Sequence, residues 1–108
     1  DWLKEPCVIY GAGTITEFIG SKFSLESHTI CSGLKEEDGL MICNQEIRFK
    51  GDVNWSNFER VLIAVEGREE VISEDILELA PHIKISAVII DKSQSLNRYE
   101  LVNINKYV

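Results

Sequence analysis

The chain lacks a long hydrophobic run. Its longest uninterrupted apolar stretch is Val61-Leu62-Ile63-Ala64-Val65, far short of the roughly 20 residues a membrane-spanning helix requires, so no direct insertion into a bilayer is expected. No basic stretch followed by apolar residues opens the chain, as a secretory leader would. It starts at Asp1 instead of Met, as expected of a single domain, residues 1–108, excised from a longer protein. Positive charge is also scarce. Eleven Lys and Arg face 18 Asp and Glu, a formal net charge of −7, and that field repels phosphate backbones and anionic lipid alike. Nucleic acid is therefore not an expected partner.

Cysteine is sparse and unpaired in pattern. Cys7, Cys31 and Cys43 are an odd number without CxxC spacing, which argues against a disulfide framework and a zinc site and for buried or half-buried structural thiols. The two histidines, His28 and His82, have no metal-binding residue at ligand spacing, so no metal is expected and both read as surface or loop positions. No Ser/His/Asp or Cys/His spacing suggests a catalytic triad. The expectation is a protein that binds without catalysing.

What is present is ordinary globular composition, 44% hydrophobic and 27% charged, in a chain long enough for one self-sufficient core. Cys7-Val8-Ile9-Tyr10 reads as a short buried strand that stops at Gly11-Ala12-Gly13. Ile15, Phe18, Ile19 and Phe23 then recur at helical spacing. His28-Thr29-Ile30-Cys31 supplies a second strand, and 34–43 reads as a polar helical stretch anchored by Leu40 and Met41. In 46–50, Ile47 and Phe49 alternate with charged residues, the pattern of an edge strand. Val61 to Val65 and 85–90 are apolar on both faces, as central parallel strands covered by helices must be. Between them Ile72, Ile76 and Leu79 mark one face of an acidic helix that stops near Pro81. Leu96, Tyr99 and Val102 suggest a last short helix before a terminal strand at Tyr107-Val108.

This alternation predicts an α/β, Rossmann-like, doubly wound and mostly parallel sheet with helices on both faces. Its ligand crevice belongs at the carboxyl ends of the strands, after the first one, where Gly11-Ala12-Gly13-Thr14 stands. The amides of Gly11, Ala12, Gly13 and Thr14, with the positive end of the helix dipole, suit the phosphates of an adenine nucleotide such as NAD, ATP or AMP. Gly13 is expected to need its glycine both for phosphate approach and for backbone conformation. Thr16 replaces the third glycine of GxGxxG, which predicts looser helix packing, and Ser32-Gly33 stands where an acidic residue would hold the ribose. The acidic run Glu36-Glu37-Asp38 reads as a solvated turn. Trp2, Trp55 and Tyr99 read as core or rim aromatics.

Taken in order, Val8-Ile9-Tyr10-Gly11-Ala12-Gly13, Ile47-Arg48-Phe49-Lys50-Gly51-Asp52, Arg60 to Val65, Pro81 to Ala87 followed by Leu96 to Leu101, and Asn105-Lys106-Tyr107-Val108 resemble the regulator-of-potassium-conductance domains (RCK, also called TrkA-N or KTN). The resemblance implies a helix at Leu96 to Leu101 and a closing strand at Asn105 to Val108. It also implies Asp52 beside the adenosine and Glu66 at the mouth of the crevice, where some calcium-gated members place a carboxylate. Ser32 occupies the other acidic position, leaving too few hard oxygen ligands for calcium. The segment from Gly51-Asp52 to Val61 is shorter than in the family.

The function so implied is a cytoplasmic regulatory domain of a potassium channel or transporter. It would be homo-oligomeric, held at the inner face of the cell membrane by a pore partner or a pore domain of the same chain, and would couple nucleotide or ion binding to gating. The alternative is a nucleotide-sugar- or NAD-binding module attached to a polysaccharide-biosynthesis enzyme, since the strand-glycine-helix opening is similar.

Overall fold

The computed structural model describes residues 4–91 and 98–107. Each apolar run is a strand. Strands β1 (Val8–Tyr10), β2 (Thr29–Ser32), β5 (Arg48–Phe49), β6 (Arg60–Ile63) and β7 (Lys84–Asp91) run parallel, and β8 (Arg98–Asn103) closes the sheet antiparallel to β7. The order β5-β2-β1-β6-β7-β8 reverses direction at β1 and β6, which is the switch point of a doubly wound sheet.

Alternation sends consecutive strand residues to opposite faces, and each face has its own core. Val8, Tyr10, Cys31, Val61, Ile63 and Ile85 pack on one face with Ile72 and Ile76 of helix α2 (Glu69–Leu79). Ile9, Ile30, Leu62 and Val88 pack on the other with Ile15 and Ile19 of helix α1 (Thr14–Lys22). Burial of each such aliphatic side chain contributes about 1.5–3 kcal/mol. The Rossmann-like doubly wound architecture expected from the sequence is therefore the one observed.

The crossovers depart from expectation, and the departures shape the site. Residues 34–43 form no α-helix: a 3₁₀ turn at Lys35–Glu37 leads into an antiparallel hairpin of β3 (Met41–Ile42) and β4 (Gln45–Glu46). The two-residue turn Cys43-Asn44 has φ of 51° and 62°, the left-handed pair that a type I′ hairpin demands. Leu40 and Met41, the expected anchors, are exposed; Ile42 and Ile47 enter the α1-face core instead. The strand expected at 46–50 does lie at the sheet edge, but it is divided, β4 pairing with β3 and β5 with β2.

From β5 to β6 the chain again makes no helix, only 3₁₀ turns at Lys50–Asp52 and Trp55–Asn57, which bury Val53 and Trp55 against the α2 face. Beyond β7 the described residues of the expected helix form a strand instead. Tyr99 and Val102 lie in β8, and the proposed closing strand is a 3₁₀ turn at Ile104–Tyr107. Asn105 explains that turn: its side-chain oxygen accepts from the Ile85 amide and its side-chain nitrogen donates to the Ile83 carbonyl. Trp2, Leu96 and Val108 lie outside the described residues. Among the described helices none is long and apolar enough to cross a membrane.

Candidate functional site

Where a crossover helix would cover the carboxyl ends of β1, β2 and β5, the two 3₁₀ turns leave a cleft of about 470 Å³. It is lined by the end of β1 and its turn (Tyr10, Gly11, Ala12), by Ser32, Gly33, Leu34 and Glu37 after β2, and by Lys50 after β5. Val65, Arg68, Val71, Ile72 and Asp75 form the wall toward α2. Its position at the switch point and its size fit the range of small-ligand sites.

Gly11 makes the sharp exit from β1. Its φ is +122°, and a Cβ there would lie 2.7 Å from Val65 Cγ2 and 2.8 Å from the Ala64 carbonyl oxygen, so only glycine lets the turn pass the end of β6. Its amide donates to the Cys31 carbonyl at 2.8 Å, which corrects the expectation that Gly11 offers an anion donor. The first helical bond joins the Glu17 amide to the Gly13 carbonyl, so the first-turn amides beyond Gly13 have no acceptor within the helix. Gly13 has extended backbone, φ −119°, with no atom within 4 Å of an added Cβ. The expected backbone need for glycine at Gly13 is therefore absent; the position is simply open. Thr14 is exposed beside it.

Thr16 does not loosen the loop. It is fully buried, and its hydroxyl donates to the Gly11 carbonyl at 2.5 Å, tying the first turn of α1 back onto the end of β1. The missing third glycine is answered by a side-chain latch.

An acidic group does stand at the end of β2, supplied from five residues on. Ser32 donates its hydroxyl to Glu37 Oε1 at 2.5 Å and accepts from the Leu34 amide at 3.0 Å, so the 3₁₀ turn folds a half-buried carboxylate over the cleft. Reading Glu37 as part of a solvated turn missed this. Tyr10 was also missed, although it ends β1 at the switch point. Its ring is buried and its hydroxyl rests on Gly33, where a Cβ would approach to 2.4 Å. Burial raises the Tyr10 hydroxyl to about 12; Cys31 and Asp75 add to the rise and Arg68 opposes it.

Also lining the cleft, Lys50 forms an ion pair with Asp75 of α2, and the Lys50 carbonyl accepts from Trp55 Nε1 at 2.9 Å. Arg68 stands immediately before α2. Of the residues expected to bind, the cleft brings together Gly11, Ala12 and Ser32, with Gly13 and Thr14 following at the start of α1. Asp52 and Glu66 are exposed and line no part of it: the 3₁₀ turn carries Asp52 past the rim and leaves Lys50 facing inward, and Val65 and Arg68 face the cleft in place of Glu66.

The thiols sit apart from this chemistry. Burial pushes Cys7 up to about 12 and raises Cys31 further, so both are neutral thiols. Cys43 is half-buried, and burial raises it too. His28 is not a surface residue. It is 4% exposed, and its Nδ1 accepts from the Cys7 amide at 3.1 Å. His82 is exposed and rests on the Phe58 carbonyl. No group of three or more potential metal ligands occurs among the described residues.

No protein-family model and no curated protein matches the chain. Its structure is similar to that of a UDP-D-quinovosamine 4-dehydrogenase from Vibrio fischeri, with a TM-score of 0.65 and 16% sequence identity over 94% of this chain and 96% of that chain. At that identity the likeness establishes a shared Rossmann-like fold.

Proposed function

We propose that this domain is a nucleotide-binding module, and that a nucleotide sugar of the uridine diphosphate class is the ligand its cleft suits best. One observation carries the reading: a carboxylate that can accept from ribose hydroxyls, Glu37, shares a single cleft with the glycine turn and with Arg68. The diphosphate would lie over Ala12, Gly13 and the first-turn amides of α1, where Gly13 leaves open space. The ribose would meet Glu37, and the base would lie against Leu34 and Val71, apolar lining side chains that are 54% and 58% exposed. The structurally similar dehydrogenase is named for a UDP-sugar, which supports this class of nucleotide.

We further propose binding without turnover. Ser32 and Glu37 make a hydroxyl-carboxylate pair, but both imidazoles are held elsewhere, His28 against Cys7 and His82 on Phe58, so among the described residues no imidazole reaches the Ser32 hydroxyl to activate it. Isothermal titration of UMP, UDP, UDP-N-acetylglucosamine, AMP and NAD tests the assignment. The uridine diphosphates should bind, with Glu37→Gln and Arg68→Ala each weakening them about tenfold, the value of one charge-assisted hydrogen bond. Binding of AMP or NAD alone would move the site to the adenine class, and indifference to both substitutions would remove it from this cleft.

A further inference from the structure

The cleft carries two cations, Lys50 and Arg68, and two carboxylates, Glu37 and Asp75. Formal charge along its walls is therefore balanced, an unusual endowment for a site that receives a diphosphate. The balance is not uniform in space. Arg68 begins the α2 wall, whereas Lys50 reaches across from β5 and is engaged by Asp75 at the second turn of the same helix. Both members of that pair are partly exposed, with side-chain exposures of 26% and 33%, so a ligand can reach them. The lysine backbone is fixed, because the buried Trp55 donates its indole N–H to the Lys50 carbonyl. What can change on ligand entry is the ammonium's partner.

Resting on the nucleotide reading above, we infer that the Lys50–Asp75 pair is a specificity gate that sets how much phosphate charge the cleft accepts: a phosphoryl group must take Lys50 from Asp75. Asp75 opposes the ligand in two ways, by occupying the ammonium and by repelling the incoming anion. A monophosphate leaves the pair closed and is held by the α1 amides and Arg68. A second phosphoryl group competes directly with Asp75. The pair also joins the β5 end of the sheet to α2, so its opening frees that helix from one of its ties to the cleft.

Asp75→Asn keeps the shape of the side chain and removes its charge. It should tighten UDP about fivefold, the upper value for a partly exposed ion pair, and leave UMP within twofold. Adding Lys50→Met to Asp75→Asn should abolish that gain, which a general effect of one less negative charge would not do. Inorganic pyrophosphate provides a probe that needs no nucleoside subsite, read by Trp55 fluorescence in a Trp2→Phe background. If pyrophosphate quenches Trp55 and binds Asp75→Asn more tightly while no nucleotide binds, the gate stands and the nucleotide reading falls. If UDP binds wild type and Asp75→Asn equally, the nucleotide reading stands and the gate is overturned. If neither UDP nor pyrophosphate binds either protein, both are overturned. Should Asp75→Asn fail to fold, as judged by circular dichroism, Asp75→Ser gives the same comparison without the amide.

Discussion

The glycine turn separates two demands that sequence motifs merge, the need of the fold and the need of a ligand, and a pair of alanine substitutions tells them apart. At Gly11 an alanine would keep φ near +122° and press its Cβ to 2.7 Å from Val65 Cγ2 and 2.8 Å from the Ala64 oxygen. The backbone strain costs about 1–3 kcal/mol, and forcing a methyl into filled space costs about 1–3 kcal/mol more. The sum is about 2–6 kcal/mol, a large share of the 5–15 kcal/mol that holds a typical domain folded. At Gly13 an alanine meets nothing within 4 Å and has an ordinary extended backbone, so its effect on stability should be near zero, or a gain of about 0.4–1 kcal/mol from the less flexible unfolded chain. Urea denaturation followed by tryptophan fluorescence measures both. Gly11→Ala should lower the midpoint by at least about 0.7 M at a slope of about 1–3 kcal/mol per molar, and Gly13→Ala should leave it unchanged or raise it. Equal losses for the two variants would refute the geometry of the turn.

Three further outcomes follow from the buried polar groups. Thr16→Val should cost about 1 kcal/mol by removing the hydroxyl that the Gly11 carbonyl accepts, measured in the same denaturation experiment. His28→Phe should cost about 1–3 kcal/mol, because it strands the Cys7 amide; an unchanged midpoint would show that water replaces the ring. The thiols give an alkaline limit: Cys7 and Cys31 have folded values raised above the unfolded 9.0, so the folded state binds these protons more tightly. Their contribution is complete below pH 9 and falls as pH rises toward 12, by up to about 1.4 kcal/mol per thiol per pH unit. Cys7→Ala/Cys31→Ala should flatten that decline between pH 9 and pH 11, and a slope that survives the double substitution would place its origin elsewhere.

The sequence was legible where burial alone decides structure. β1, β6 and the first half of β7 announce themselves as apolar runs because both of their faces are covered, and α1 and α2 by the spacing of Ile15 with Ile19 and of Ile72 with Ile76. It was illegible where short-range geometry decides. The hairpin of β3 and β4 turns on Cys43-Asn44, a pair without the glycine that usually marks a type I′ turn. Residues 98–103 show both a helical spacing of apolar residues and a strand-like alternation, Arg98 and Glu100 against Tyr99 and Leu101. Pairing with β7 selected the strand. In the site, Gly11, Ala12 and Ser32 could be placed because the fold fixes where strands end. Glu37 could have been found by asking what five residues of tight turn bring back over Ser32. The Lys50–Asp75 pair spans 25 residues of sequence and has no local signature, because packing of α2 on the sheet creates it.

The cleft as the nucleotide site is tested most directly by mapping UDP onto the backbone amides of the ¹⁵N-labelled domain through their NMR shifts. The largest changes should fall on Ala12, Gly13 and Thr14, on Gly33 and Glu37 across the cleft, and on Arg68 before α2. Changes confined to the second hollow, about 380 Å³ between α1 and the hairpin and lined by Gly20, Leu25, Cys43 and Gln45, or no changes at saturating UDP, would contradict it.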